Sequence, residues 1–429
     1  MPRSTAGSVL ELPPVRARRS LRWALCVLPL LVTACGASPS PSAASSPRGA
    51  ASVPARAWPT TAQAATCATS SPSQWMQCLV KAHPAFGRVP LSDMALPGAE
   101  NAGTFNLDAE AFDNQVGSAC ATFDPGASIS ASKAVRFSAT QDETIVKQLN
   151  GGVRWIDLQV GYNGGGDAVG GWRVTQNLYS SWPLSEYLDQ VATWAAFHPG
   201  EAVVVDLSTI CYDHSPTPAV DRGLWANFAT KSVEGAGPYT LADVAAPASS
   251  FGGSPARATL ADLDHTRRNV VVLIPSGAKD WQVLRDTYHV DPVLTTASGR
   301  GGSGTVEVEH SDPRVAPTVP QEFPQANTGL AAFPTKADPP LGSLQGRGFY
   351  VAKLAYELKG ASAANQSAIL SYFPGLVTTQ GIFEAWMAGL WNGAYPQILT
   401  TWGSRTNVVL ADGVDLGGFV PAVIERNGR

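Results

Sequence analysis

The 429-residue sequence contains little charge. Asp, Glu, Lys and Arg make up only 15% of it, and its formal net charge is −4. Lysine and arginine do not cluster beyond residue 22. Because nucleic-acid binding needs a basic face that neutralises phosphates, nucleic acid is not expected as a partner. The 12 Trp and 14 Phe residues instead predict a large apolar core.

The N-terminal apolar run is too short for a permanent membrane helix. It extends from Trp23 to Val32 and follows a group of arginines. Val32-Thr33-Ala34-Cys35 then resembles a bacterial lipobox. We predict a lipoprotein signal peptide at residues 1–34 and lipidation of Cys35, which would anchor an exported protein to the outer face of the cytoplasmic membrane or the cell surface. The alternative is an ordinary secretory signal with an incidental cysteine.

The next segment, residues 35–66, contains few large apolar side chains and is rich in Ala, Ser and Pro. Such a segment cannot bury a core, so we predict a flexible tether. The remaining residues, 67–429, are predicted to form one domain.

Cysteine is scarce, and neither a CxxC motif nor zinc-ligand spacing occurs. Without the signal-peptide cysteine and Cys35, four remain, which is an even number in an exported protein. Cys67–Cys78 closes a short loop and is the preferred pair, which leaves Cys120 and Cys211 for a second disulfide. Free buried thiols are the alternative.

Apolar, β-branched runs alternate with helical patterns along the body. This alternation predicts an α/β fold with a parallel sheet, and seven or eight strands favour a closed TIM-type barrel with long loop insertions. Strands are predicted at 92–96, 153–160, 172–175, 202–207, 270–274, 350–355 and 408–411. Helices are predicted at 183–197, 364–373 and 383–391, and a closing helix or strand turn at 419–424.

Four segments carry a family resemblance. They read VPLSDMALPGAENAGTFNL (89–107), TIVKQLNGGVRWIDLQV (144–160), WRVTQNLYSSWPLSEYLDQVATWAAFHPGEAVVVDLS (172–208) and NVVLADGVDLGGFVPAVIERN (407–427). In order and spacing they resemble the blocks of the phosphatidylinositol-specific phospholipase C superfamily, phosphodiesterases built on a TIM-type barrel. That family reads close to PGTHDS in the first block, R-x-x-D-x-R in the second and V-x-H-G in the third.

The resemblance implies a site at the C-terminal ends of the strands. Asp157 matches an acid that assists the proton donor, and Asp412 matches a late acid that orients the base. Glu100 and Gln176 stand where the family has its two catalytic histidines. The implied catalytic set is therefore Glu100, Asp157, Gln176 and Asp412, and the implied ligand-binding set is Asn101, Gln159, Arg173 and Ser208.

The two replaced histidines weaken the family chemistry. Each acid or base is worth roughly 10²–10⁴-fold in rate, and glutamine cannot donate a proton usefully. Ca²⁺ or Mg²⁺ held by Asn101 and Asp157 is a candidate source of positive charge. The first functional hypothesis is thus a phosphoric diester hydrolase with a divergent site, acting on a phospholipid head group or another phosphodiester. The second is a non-catalytic surface scaffold that binds a polyol, a glycan or a protein.

Overall fold

The computed structural model describes residues 58–109, 134–135, 138–164, 167–207, 209–212, 217–231, 237–251, 254–278, 280–296, 305–311, 348–354, 407–415 and 418–428. The predictions for the signal peptide, Cys35, Cys120, Ser208 and the helices at 364–373 and 383–391 lie outside these residues.

Eight parallel strands form a closed barrel, which confirms the predicted fold class. Going around the barrel, the order is β1, β12, β11, β10, β9, β8, β6 and β2, and β2 pairs with β1 to close the ring. The barrel strands are β1 (Leu96–Ala99), β2 (Trp155–Asp157), β6 (Val203–Asp206), β8 (Val270–Pro275), β9 (Val293–Thr296), β10 (Thr305–Ser311), β11 (Gly348–Leu354) and β12 (Val408–Ala411).

A second, four-stranded sheet, ordered β5-β4-β3-β7, continues from the barrel. Its strands are β3 (Val160–Tyr162), β4 (Trp172–Gln176), β5 (Leu178–Pro183) and β7 (Ile210–Tyr212). Because β3 follows β2 and β7 follows β6, this sheet lies beyond the C-terminal ends of those two strands. The strand predicted at 172–175 therefore exists but belongs to this side sheet rather than to the barrel.

Nine α-helices occur within the described ranges. They are α1 (Thr61–Ser70), α2 (Trp75–Ala82), α3 (Ile145–Asn150), α4 (Leu184–Phe197), α5 (Pro218–Ala226), α6 (Leu241–Val244), α7 (Leu260–Thr266), α8 (Trp281–Tyr288) and α9 (Phe419–Glu425). None of the helices in this part of the chain is long and apolar enough to cross a membrane. The helix predicted at 183–197 is confirmed as α4, and the closing helix or strand turn predicted at 419–424 is a helix, α9.

The folded body begins earlier than predicted, so the tether boundary at residue 66 is wrong. Trp58 is buried and packs edge-on against Phe86, and α1 starts at Thr61 with a capping box made by Thr60 and Gln63. One aromatic anchor and a good N-cap thus give structure to a segment whose small residues indicate flexibility. Cys67 and Cys78 form the predicted disulfide between α1 and α2. Cys211 is also disulfide-bonded, with a partner outside the described residues.

Two barrel strands differ from the sequence prediction. The stretch predicted at 92–96 is a 3₁₀ turn at Leu91–Asp93, and β1 begins only at Leu96. Pro97 and Gly98 are usually signs of a turn. Here Gly98 lies inside β1. The position requires glycine because a Cβ there would come within 2.3 Å of Leu410 Cδ2. β10, at Thr305–Ser311, is not among the strands predicted from the sequence.

Candidate active site

Four acidic residues occupy neighbouring positions at the C-terminal ends of adjacent strands. The register pairs Ala99 of β1 with Ala411 of β12 and with Ile156 of β2, so Glu100 follows between Asp412 and Asp157. Asp157 is itself paired with Asp206 of β6. We call Asp412, Glu100, Asp157 and Asp206 the carboxylate row. All four are at most 4% exposed.

The carboxylate row faces the inside of the barrel. The rings of Trp155 and Phe349 lie 5.0 Å apart although β2 and β11 are separated by two other strands. This contact can only cross the barrel interior. Since side chains alternate along a strand, Asp157 points to the same side as Trp155. The register gives Glu100, Asp206 and Asp412 the same direction one layer above the Trp155 layer.

Asn101 and Asp157 meet through the backbone. The Asn101 N–H donates to Asp157 Oδ2 at 3.3 Å, and the Ala102 N–H donates to the Asp157 carbonyl at 2.8 Å. Asn101 has φ of 43°, a left-handed conformation in which the chain turns sharply away from β1. Asn101 therefore holds Asp157 by its main chain.

Gln176 ends β4 on the side of the sheet nearest the barrel. β4 pairs antiparallel with β3, with Val174 opposite Val160, and the same register places Gln176 level with Leu158, one residue beyond Asp157. Asn177 then turns the hairpin with φ of 61°. The fold thus brings the third sequence block close to the end of β2, as the resemblance implies.

The remaining predicted ligand residues belong to the backbone framework. The Gln159 carbonyl accepts from the Thr175 N–H at 2.9 Å. Arg173 Nη1 donates to the carbonyls of Ser180 and Ser181 on β5. Arg173 therefore stabilises the β4–β5 hairpin. The sequence pattern alone does not distinguish this structural role from ligand binding.

A group of polar side chains that sequence reasoning missed joins β1 to β12. Gln141 Nε2 donates to the carbonyl of Glu100 at 3.0 Å and to that of Ala411 at 2.8 Å, while its Oε1 accepts from the Val414 N–H at 3.2 Å. Thr140 Oγ1 also donates to the Glu100 carbonyl at 2.8 Å. Asp206 was missed as well, although it is the penultimate residue of the predicted strand at 202–207 and the last residue of β6. Its one sequence signal is a lone acid at the end of an apolar run.

The loops beside the carboxylate row carry further negative charge. Burial, together with the nearby carboxylates of Asp142 and Glu143, raises the pKa of Asp415 above its ordinary value. Lys147 pairs with one of these acids, and its Nζ lies 2.7 Å from Glu143 Oε2. This rim is therefore more acidic than a phosphate-binding mouth requires.

The histidine side chains that the structure describes lie away from the carboxylate row. His198, His265 and His289 end or follow helices α4, α7 and α8, which lead back to the N-terminal ends of β6, β8 and β9. His83 follows α2. His310 is the penultimate residue of β10, not part of a loop as its acidic neighbours indicate, and His214 lies outside the described residues.

No three His, Cys, Asp or Glu side chains within the described ranges come close enough to hold a metal ion. Asn101 contacts Asp157 through its backbone N–H. A cation bound by Asn101 and Asp157 therefore stays a prediction and would need further ligands from substrate or water.

Comparison with solved structures identifies the fold. One match is a Staphylococcus aureus phosphatidylinositol-specific phospholipase C containing pentafluoro-Phe, at 18% identity, TM-score 0.50, and coverage of 84% of this chain and 99% of that one. Another, from work on modulation of the membrane binding of the S. aureus enzyme, has 16% identity, TM-score 0.51, and the same coverage. No family profile and no curated protein matches this sequence significantly. The chain thus has the barrel fold of the bacterial phosphatidylinositol-specific phospholipases C.

Proposed function

We propose that this protein is an exported phosphoric diester hydrolase whose acid–base site has diverged from that of the phosphatidylinositol-specific phospholipases C. The observation that carries this proposal is the register of Asp412, Glu100 and Asp157 at three adjacent strand ends of a barrel with that fold. Active sites of such barrels lie at this end. The substrate class is a phospholipid head group or a related extracellular phosphodiester.

Glu100 is the candidate base in this proposal. It follows β1 directly, and its neighbour Asp412 follows β12, so their side chains leave paired strands at the same level. Carboxylates on neighbouring strand ends disfavour double ionisation, so we expect Glu100 and Asp412 to share one proton. The pair then acts as a single acid or base, a role that histidine has in the resembling family.

A second candidate function is a non-catalytic scaffold for a polyol or a glycan. Two observations favour it. The proton-donor position holds Gln176, and the acids Asp142, Glu143 and Asp415 give the rim a charge that repels a phosphodiester. Carboxylates and amides in a largely buried mouth are suitable hydrogen-bond partners for hydroxyl groups.

A substrate panel separates the two functions. Phosphatidylinositol, a glycerophosphodiester and a chromogenic phosphodiester are incubated with residues 58–429, with EDTA, Ca²⁺ or Mg²⁺. The enzyme proposal predicts measurable turnover on one phosphodiester, and on phosphatidylinositol a rate far below the roughly 10 s⁻¹ of a typical enzyme. No turnover under any condition, combined with saturable inositol or glycan binding, supports the scaffold instead.

Export and lipid attachment at Cys35 are part of the same proposal. The basic residues, short apolar run and VTAC motif support it, and so does the disulfide between Cys67 and Cys78, since such bonds persist in oxidising compartments. The membrane anchor would then be a lipid on Cys35, joined to the barrel through the Ala/Ser/Pro-rich segment that follows it.

A further inference from the structure

We infer that Gln141 is a positioning residue that sets the relative placement of Glu100 and Asp412. This inference rests on the proposed function for its effect on catalysis, but its structural part does not. Gln141 is 3% exposed and makes three side-chain hydrogen bonds, all to the backbone around the two acids.

Each of these hydrogen bonds fixes a different end of the site. The donation to the Glu100 carbonyl holds the acid residue itself, and the donation to the Ala411 carbonyl holds the residue just before Asp412. The acceptance from the Val414 N–H holds the chain just after Asp412. One amide therefore clamps both sides of Asp412 and the backbone of Glu100.

The position of Gln141 is fixed in turn by its neighbours. The Gln141 N–H donates to Thr104 Oγ1 at 3.2 Å, and Thr104 Oγ1 lies 2.9 Å from Thr140 Oγ1. Thr104 Oγ1 also donates to the Asn101 carbonyl at 2.9 Å. Since Asn101 is the residue whose N–H contacts Asp157, this network links three members of the carboxylate row.

Glutamine has the chemistry that this position needs. The amide nitrogen carries two donors for two carbonyls, and the amide oxygen accepts from an N–H. An ionised glutamate has no donor, and methionine has neither donor nor acceptor. β1 and β12 are neighbours in the barrel but are the first and last barrel strands in the chain. No short connecting loop therefore sets the spacing between them.

The chain offers a matched control in Gln148. This glutamine is 2% exposed, and its Nε2 donates to the carbonyls of Ala102 at 2.8 Å and Glu143 at 2.6 Å. Gln148→Met thus removes buried amide hydrogen bonds of the same kind without touching the backbone around Asp412. Both Gln141→Met and Gln148→Met are expected to lower the melting temperature, because each leaves buried carbonyls without a donor.

The test follows the titration of the Asp412 carboxyl carbon by ¹³C NMR in the full-length protein, and the pH profile of any phosphodiesterase activity. We expect Gln141→Met to move the titration midpoint of Asp412 by about one pH unit. The reason is that a changed spacing between Glu100 and Asp412 alters the electrostatic interaction between the two carboxyl groups. Its kcat should fall at least about tenfold with KM nearly unchanged. Gln148→Met should leave the titrations and the pH profile unchanged.

Unchanged titrations in Gln141→Met, or equal shifts in both variants, would overturn the inference. If Gln141→Met does not fold, Gln141→Asn replaces it, because it keeps an uncharged amide but is one methylene too short to make the same three hydrogen bonds. A wild-type protein without phosphodiesterase activity refutes the proposed function, and the NMR titrations still decide the role of Gln141.

Discussion

Arg154 shows how one residue can hold distant parts of the chain together. Its guanidinium donates to Glu201 Oε2 through Nε at 2.9 Å and Nη2 at 2.6 Å, and it lies over the rings of Trp75 and Trp194. Glu201 also accepts from the Gln77 N–H at 2.8 Å. The pair therefore attaches α2 to the start of β2 and β6, at the end of the barrel opposite the carboxylate row.

Breaking this ion pair on one side should be costly. Removing one partner of a buried pair leaves an uncompensated charge and costs about 3–5 kcal/mol. Arg154→Met is expected to lower the free energy of unfolding in urea by that amount. The control is Lys147, a largely exposed side chain paired with Glu143, and Lys147→Met should leave the free energy of unfolding nearly unchanged. Similar effects of the two substitutions would refute the structural role of Arg154.

The raised pKa of Asp415 predicts a pH-dependent stability. A carboxyl with a raised pKa in the folded state binds its proton more tightly when folded, so stability falls as the pH rises through that pKa. Asp415→Asn should therefore be slightly more stable than the wild type at pH 7, and the effect should be small because the residue is exposed and solvent screens its charge. The advantage should vanish below about pH 3.9, the ordinary aspartate pKa. Thermal unfolding at both pH values measures it, and an equal advantage at both contradicts the assignment.

At the scale of elements, the N-terminal helical pair depends on its disulfide. Cys67 and Cys78 are separated by 11 residues, and their Cα atoms lie 5.6 Å apart. Closing a loop of this size removes entropy from the unfolded chain worth up to about 3 kcal/mol. Cys67→Ser combined with Cys78→Ser is expected to lower the free energy of unfolding by about 2–3 kcal/mol in urea. No loss relative to the oxidised wild type would show that the helices are held by packing alone.

The sequence predicts those elements whose pattern is local. The apolar face of α4 and the valine runs of β6 and β8 identify these elements. Gly98 misleads because its role depends on Leu410, a residue 312 positions later in the chain, which approaches it too closely for a side chain. Thr305–Ser311 misleads because its alternating acids resemble a solvated loop, while pairing with β9 and β11 makes it a barrel strand.

The candidate site divides in the same way. Glu100, Asp157 and Asp412 are predictable because each ends or follows a strand in a block with a family resemblance. Gln141 is not, because its function arises from the meeting of β1 and β12 rather than from its own neighbours in sequence. Arg173 is predicted to bind a ligand because it is a cation near the site, but its guanidinium donates to the Ser180 carbonyl on β5.

At the scale of the whole molecule, the proposed lipid anchor at Cys35 can be tested independently of the proposed active site. Lipidation of Cys35 predicts that the wild type fractionates with membranes and that Cys35→Ser is released in soluble form. Cell fractionation with immunoblotting measures this, and mass spectrometry of the N-terminal peptide detects the lipid. A Cys35→Ser protein that still fractionates with membranes contradicts the anchor.

The central claim is that the carboxylate row performs phosphodiester hydrolysis. The most direct measurement is the rate of hydrolysis of the best phosphodiester of the panel by the wild type, Glu100→Gln and Asp412→Asn, with Asp221→Asn as the control because Asp221 is equally buried but lies on α5. Our account predicts that Glu100→Gln and Asp412→Asn each lose about 10²–10⁴-fold in kcat/KM, while Asp221→Asn retains the wild-type rate. Equal rates for all four proteins would contradict it.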